Sequence, residues 1–190
     1  LHLIFCANST AIALKGTHME TITIGKSDVV TSRVGLGTWA IGGSMWGGSD
    51  EGEAIATIRS AVERGITLID TAPVYGFGHS EEVVGKALAE GGLRDRAQIA
   101  TKTGLDWKNG KVFRDSRAPR IRQEVEDSLR RLRADHIDLY QVNWPDLETP
   151  GEETAAELAT LREEGKIRAV GVSNFSPAQM HAFRSITTLD

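Results

Sequence analysis

The pattern that most restricts the fold is an alternation of short apolar runs with stretches of helical period, repeated from Arg33 to the end of the chain. "RVGLGT" precedes "DEGEAIATIRSAVERG", in which Ala54, Ile55, Ile58, Ala61 and Val62 recur at helical spacing and Gly65 supplies a stop. "TLID" precedes "SEEVVGKALAEGG", with Ser80 expected at the N-cap and Gly91 as terminator. "QIATK" precedes "IRQEVEDSLRRL", whose Ile121, Val125, Leu129 and Leu132 form one apolar stripe. "IDLYQVN" then precedes "EETAAELATLREEGK", and "IRAVGVSNF" precedes "SPAQMHAFRS", with Pro177 at a first helical turn. Strands this short and this continuously apolar are buried on both faces, which implies a parallel sheet covered by helices.

Two architectures satisfy that rhythm, an open doubly wound sheet and a barrel. The open sheet normally carries a G-x-G-x-x-G phosphate loop after its first strand. "GLGTWAIGGSMWGG" has glycines without that spacing, and its tryptophans do not suit a tight phosphate turn. The earlier segment "ETITIGKSDVVTSRV" reads as a hairpin fit to plug a barrel floor. The expected fold is therefore α/β, a (β/α)8 TIM barrel. Such barrels need about 250 residues, and this chain of 190 shows five βα units, so the barrel is expected to be truncated after the fifth. Residues 1–18 are expected to be a non-native or disordered extension, with Met19 as the start and 19–190 as one partial barrel domain.

Composition removes several function classes. A formal charge of −4 provides no field to attract nucleic acid or an anionic membrane. The basic cluster "SLRRLRADH" fits a helix end, where cations oppose the dipole. A single cysteine, Cys6, forms no internal disulfide, and no Cys or His spacing suggests zinc. A cytoplasmic, reducing setting is expected, without nucleic-acid or membrane partners.

Barrel strands deliver their C-terminal residues to one mouth, where chemistry is done. Those ends are Gly37, Thr38 and Trp39; Asp70 with Tyr75; Lys102; Asn143; and Ser173 with Asn174. Polar residues at strand ends often only begin surface loops. A lysine closing "IATK" and an aspartate closing "LID" place opposite charges on one rim, which points to a site. Trp39, Trp46 and Trp107 read equally well as packing under loops.

These stretches resemble the aldo-keto reductase family. "GLGTW", "LIDTAPVYGFGHSEEVVGKAL", "ATK", "SLRRLRADHIDLYQVNWPD" and "GKIRAVGVSNFS" match its motifs in order and spacing, from about Glu20 onward. The resemblance implies a (β/α)8 reductase of aldehydes or ketones using NADPH, with NADH as the alternative, acting on a small carbonyl compound. It places the catalytic Asp, Tyr and Lys on Asp70, Tyr75 and Lys102, and puts Asn143 where the family has His. It also implies that Ser173 and Asn174 hold the nicotinamide amide, while Gly37, Thr38, Trp39 and Asp70 approach the nicotinamide ribose and substrate.

The chemistry of the residues agrees with the first three roles. A carbonyl accepting hydride develops negative charge on oxygen and needs an aimed proton donor. A phenol is a weak donor near neutrality, and a nearby ammonium strengthens it. Asp70 would hold that ammonium in place. Two other classes compete: a Schiff-base lyase using Lys102 as nucleophile, and a non-catalytic nucleotide-binding barrel, which Asn143 favours. His79 could stand in as an acid or simply begin a helix in solvent. A glycosidase would need a second rim carboxylate.

Overall fold

The structure, a computed structural model, describes residues 19–43 and 48–190. The expected extension at 1–18, Cys6 and Trp46 lie outside the described residues.

The chain opens with an antiparallel hairpin, β1 (Thr21–Thr23) and β2 (Val30–Ser32). Strand β3 (Gly35–Gly37) follows, then α1 (Glu51–Glu63), β4 (Leu68–Asp70) and α2 (His79–Leu88). Next come β5 (Gln98–Thr103), a second hairpin made by β6 (Leu105–Lys108) and β7 (Lys111–Arg114), and α3 (Ala118–Leu132). The last elements are β8 (Ile137–Val142), α4 (Gly151–Glu163), β9 (Ile167–Val172) and α5 (Pro177–Arg184). Strands β3, β4, β5, β8 and β9 pair in that order, all parallel, so the five expected units form one sheet with helical crossovers.

Helix ends follow local chemistry. Asp50 caps α1 by accepting the Glu53 N–H at 2.8 Å. Ser176 and Gln179 form a reciprocal capping box on α5, with Pro177 in its first turn. The apolar faces of the helices pack on one side of the sheet. Ile58 and Val62 of α1, Val83 and Leu88 of α2, Ile121 and Val125 of α3, and Leu158 of α4 meet Ile69, Ile99 and Ile167 of the strands. Burying each such side chain stabilises by about 1.5–3 kcal/mol.

The first hairpin closes the N-terminal ends of the strands. Ser32 and Thr67 exchange two bonds of 2.8 Å between backbone N–H and side-chain hydroxyl, and Asp28 reaches Arg168 of β9 at 3.2 Å. This is the floor position expected for it. The second hairpin was not anticipated from the sequence. Its turn, Asn109–Gly110, takes φ of 52° and 74°, the left-handed pair that a two-residue hairpin turn needs. Strand β7 is exposed throughout, so no apolar alternation marks it.

Asp138, at the start of β8, ties three segments together. Its carboxylate accepts the Ile99 N–H at 2.8 Å, Arg94 at 3.1 Å and Arg168 at 2.9 Å. Truncation to Ala leaves the buried Ile99 N–H without an acceptor, while the partly exposed guanidiniums rehydrate. The expected loss is about 2–3 kcal/mol of unfolding free energy, read from the denaturant midpoint of Asp138→Ala against the parent.

Candidate active site

Residues of a strand alternate between faces, and in β5 that alternation sorts the chemistry. Ile99 packs among the helices, Thr101 and Thr103 bond to helix carboxylates, and Lys102 points the other way. Strand registry puts Asp70 beside Ala100 and Lys102 beside Gln141, so the inward row climbs by one layer from β4 to β5. Lys102, 5% exposed, reaches back across that step. Its Nζ donates to both Asp70 oxygens at 2.8 and 2.9 Å and to the Thr71 carbonyl at 2.9 Å. Three acceptors match the three donors of an ammonium.

Tyr75 lies on the turn after β4, with its ring centroid 5.0 Å from Lys102 Nζ and 6.3 Å from the Trp39 ring. That turn is held by backbone bonds from Tyr75 N to Ala72 O and from Ser80 N to Tyr75 O, each 3.1 Å. It is also pressed against the short helix Ala40–Gly42 that follows Trp39. At Gly76, with φ of 66°, a β carbon would sit 2.2 Å from the Gly42 carbonyl oxygen, so only glycine permits the approach. Trp39 and Tyr75 are thereby fixed as neighbours.

Thr38 is fully buried, donating from Oγ1 to the Asp70 carbonyl at 2.9 Å. Ser80 corrects the sequence reading: the N-cap position of α2 is Gly78 with φ of 99°, and Ser80 lies inside the first turn. Its hydroxyl donates to the Thr38 carbonyl at 2.9 Å and accepts from Thr71 at 3.1 Å, knitting three segments behind the site. His79 begins α2, half-buried. Gly37 leaves open space, since a β carbon there would meet nothing within 4 Å.

The remaining expected residues gather at the ends of β8 and β9. Asn143, 6% exposed, bonds from its backbone N–H to Thr103 O at 2.8 Å. Asn174 takes a left-handed φ of 60° and donates from Nδ2 to Asn143 O at 2.9 Å and Ser173 Oγ at 3.1 Å. So the site divides into Asp70, Lys102, Tyr75, Thr38 and Trp39 on one side, and Asn143, Ser173 and Asn174 on the other. Gln141, which faces inward beside Lys102, was missed. A β carbon at Gly171 would lie 3.0 Å from its Cγ, so that glycine makes room for it. The period-two row Leu139, Gln141, Asn143 held the signal.

The chain has two tyrosines. Tyr140 is fully buried on the helix side, where burial pushes its phenol well above the usual range. Tyr75 is thus the phenol available at the mouth. Phe77, with a left-handed φ of 54°, stacks at 5.5 Å on Trp107 of the second hairpin, which places that hairpin beside the mouth.

The model of the aldo/keto reductase family matches residues 33–188. An aldo-keto reductase of Bacillus subtilis is 59% identical over 171 residues, 90% of this chain and 52% of that protein. The NADH-specific methylglyoxal reductase of Escherichia coli is 40% identical over 90% of this chain and 57% of its own. Among solved structures, a glycerol dehydrogenase from Gluconobacter oxydans superposes with a TM-score of 0.80 at 59% identity, covering 89% of this chain and 53% of that one. A Klebsiella pneumoniae aldo-keto reductase in complex with NADPH gives 0.72 at 31% identity, covering 90% and 55%. The chain spans about half the length of the relatives it matches. On the extent of the family match and the identity of these relatives, the chain belongs to the aldo/keto reductase family.

Proposed function

We propose that this chain carries the proton-donating half of a reductase that converts an aldehyde or ketone to an alcohol, with Tyr75 as the acid. The observation that carries the reading is the buried Lys102, fully engaged by Asp70 and Thr71 and standing over the Tyr75 ring. NADPH, held in an Aldo/keto reductase of Klebsiella pneumoniae, or NADH, as the name of the Escherichia coli relative suggests, would supply the hydride to the carbonyl carbon. The open space at Gly37 and the Ser173 hydroxyl and Asn174 amide at the opposite rim fit such a group, with Trp39 and Asp70 alongside, whereas Thr38, expected there from the sequence, is fully buried and supports Asp70 from behind.

Tyr75 gives its proton to the carbonyl oxygen as negative charge develops there. The phenolate left behind sits in the field of Lys102, which acts through charge because its donors are already engaged. At this range an ammonium contributes on the order of 2–3 kcal/mol, partly offset by Asp70. Asp70 keeps the ammonium aimed. Asn143 orients the carbonyl by an amide donor, which, unlike an imidazole, carries no titration. The threefold engagement of Lys102 also argues against the lyase reading, since a nucleophilic amine must be neutral with a free lone pair.

Lys102→Met and Tyr75→Phe in the full-length protein should each lower carbonyl reduction by about 10²–10⁴-fold. The dissociation constant for NADPH, titrated by fluorescence, should change only a few-fold, because neither residue is needed to grip the cofactor. Unchanged turnover in either variant would refute the assignment, and a borohydride-trapped adduct on Lys102 would favour the lyase.

Asn143→Ala should lower turnover by about 10²-fold, the usual cost of one oriented donor. Asn143→His should hold or raise the rate and add a pH dependence near neutrality. If turnover of Asn143→Ala against pH overlays the parent on every carbonyl tried, position 143 is structural.

A further inference from the structure

The helix side of β5 holds a buried carboxylate that the reduction does not use. Glu124 of α3 is 1% exposed. Its Oε2 accepts the Thr103 hydroxyl at 2.7 Å and the Gly104 N–H at 3.1 Å, and its Oε1 accepts Arg120 at 3.1 Å. Gly104 is the single residue between β5 and the β6–β7 hairpin, and it has φ of 85°. The same Arg120 nitrogen reaches Asp106 of β6 at 3.5 Å. We propose that Glu124 is a positioning residue for the β6–β7 hairpin, acting through Gly104 and through an Arg120 guanidinium that it shares with Asp106, so that its charge state sets how firmly the hairpin is anchored at the mouth.

Two carboxylates compete for one guanidinium. The groups facing Glu124 are Arg120 on its own helix, Glu81 of α2, which is itself held by Arg131 at 2.6 Å, and Tyr140 of β8. Arg120 is also felt by Asp115, just past β7. Burial pushes the Glu124 carboxyl up to about 7, although Arg120, Thr103 and Gly104 oppose the rise. Above that value Glu124 is ionised and draws Arg120 toward α3. Below it, the proton resides on Oε1, facing the guanidinium, and Oε2 still accepts from Thr103 and Gly104 but without the charge that strengthens those bonds. Arg120 then turns to Asp106, whose side chain is 31% exposed. The Arg120–Asp106 anchor therefore strengthens as pH falls through about 7, while the Gly104 bond weakens. The hairpin carries Trp107, so the wall that packs on Phe77 follows the same proton.

Hydrogen exchange of the full chain tests this without relying on the reductase reading. After correction for intrinsic rates, amides of 105–114 in the parent should gain about threefold to fivefold in protection between pH 8 and pH 6, while α1 and β4 amides stay level. Glu124→Gln should hold the hairpin at its low-pH protection across the range. Asp106→Asn, a partly exposed change that spares the core, should hold it at the high-pH level. A flat parent profile overturns the proposal on its own, as does a pH step that survives in Asp106→Asn. Loss of protection in α1 and β4 of Glu124→Gln would mark a general unfolding, leaving the parent and Asp106→Asn profiles to decide.

Discussion

A lysine pointed into the interior of a sheet must keep its charge paired, because an unpaired ammonium away from water costs several kcal/mol. Much of the local architecture around Lys102 serves that need. Asp70 has to end β4 one register step below it, and Thr71 has to turn its carbonyl inward. Thr38 then holds the Asp70 carbonyl from behind, and Ser80 accepts the Thr71 hydroxyl. The Tyr75 turn is placed by the same segment, so phenol and ammonium meet as a by-product of satisfying the charge.

The opposite face of β5 solves a second problem with the same vocabulary. Thr101 and Thr103 project among the helices, where two carboxylates, Glu81 and Glu124, accept their hydroxyls at 2.7 Å each. Each carboxylate has an arginine from α3 as its counter-charge. The strand that bears Lys102 is thus locked laterally by α2 and α3 through polar bonds, which have stricter geometry than apolar contact.

The rhythm of strands and helices was legible because both periods are written in apolar residues, and the pairing of Asp70 with Lys102 was legible because strand ends share a rim. What escaped reading had no periodic mark. Glu81 and Glu124 look like the solvated side of their helices, and only the sheet's threonines show why they are buried. Ser80 reads as a cap, since serine before a helix usually is one, yet tertiary contacts with Thr38 and Thr71 claim its hydroxyl. The second hairpin was announced by Asn109–Gly110 alone, since β7 is exposed throughout and β6 buries only Leu105, so neither shows an alternation. Gln141 was hidden among apolar neighbours of β8.

The order of the sheet has a kinetic consequence. Each strand pairs with the one that precedes it in the main sheet, so every docking step joins units that are close along the chain. Folding can then follow synthesis, each unit settling on an edge already formed. On that route Asp70 waits for Lys102 only until β5 docks, and the charged pair is assembled before β8 and β9 have joined. Asn143, Ser173 and Asn174 then arrive with β8 and β9, opposite a charged pair that is already formed.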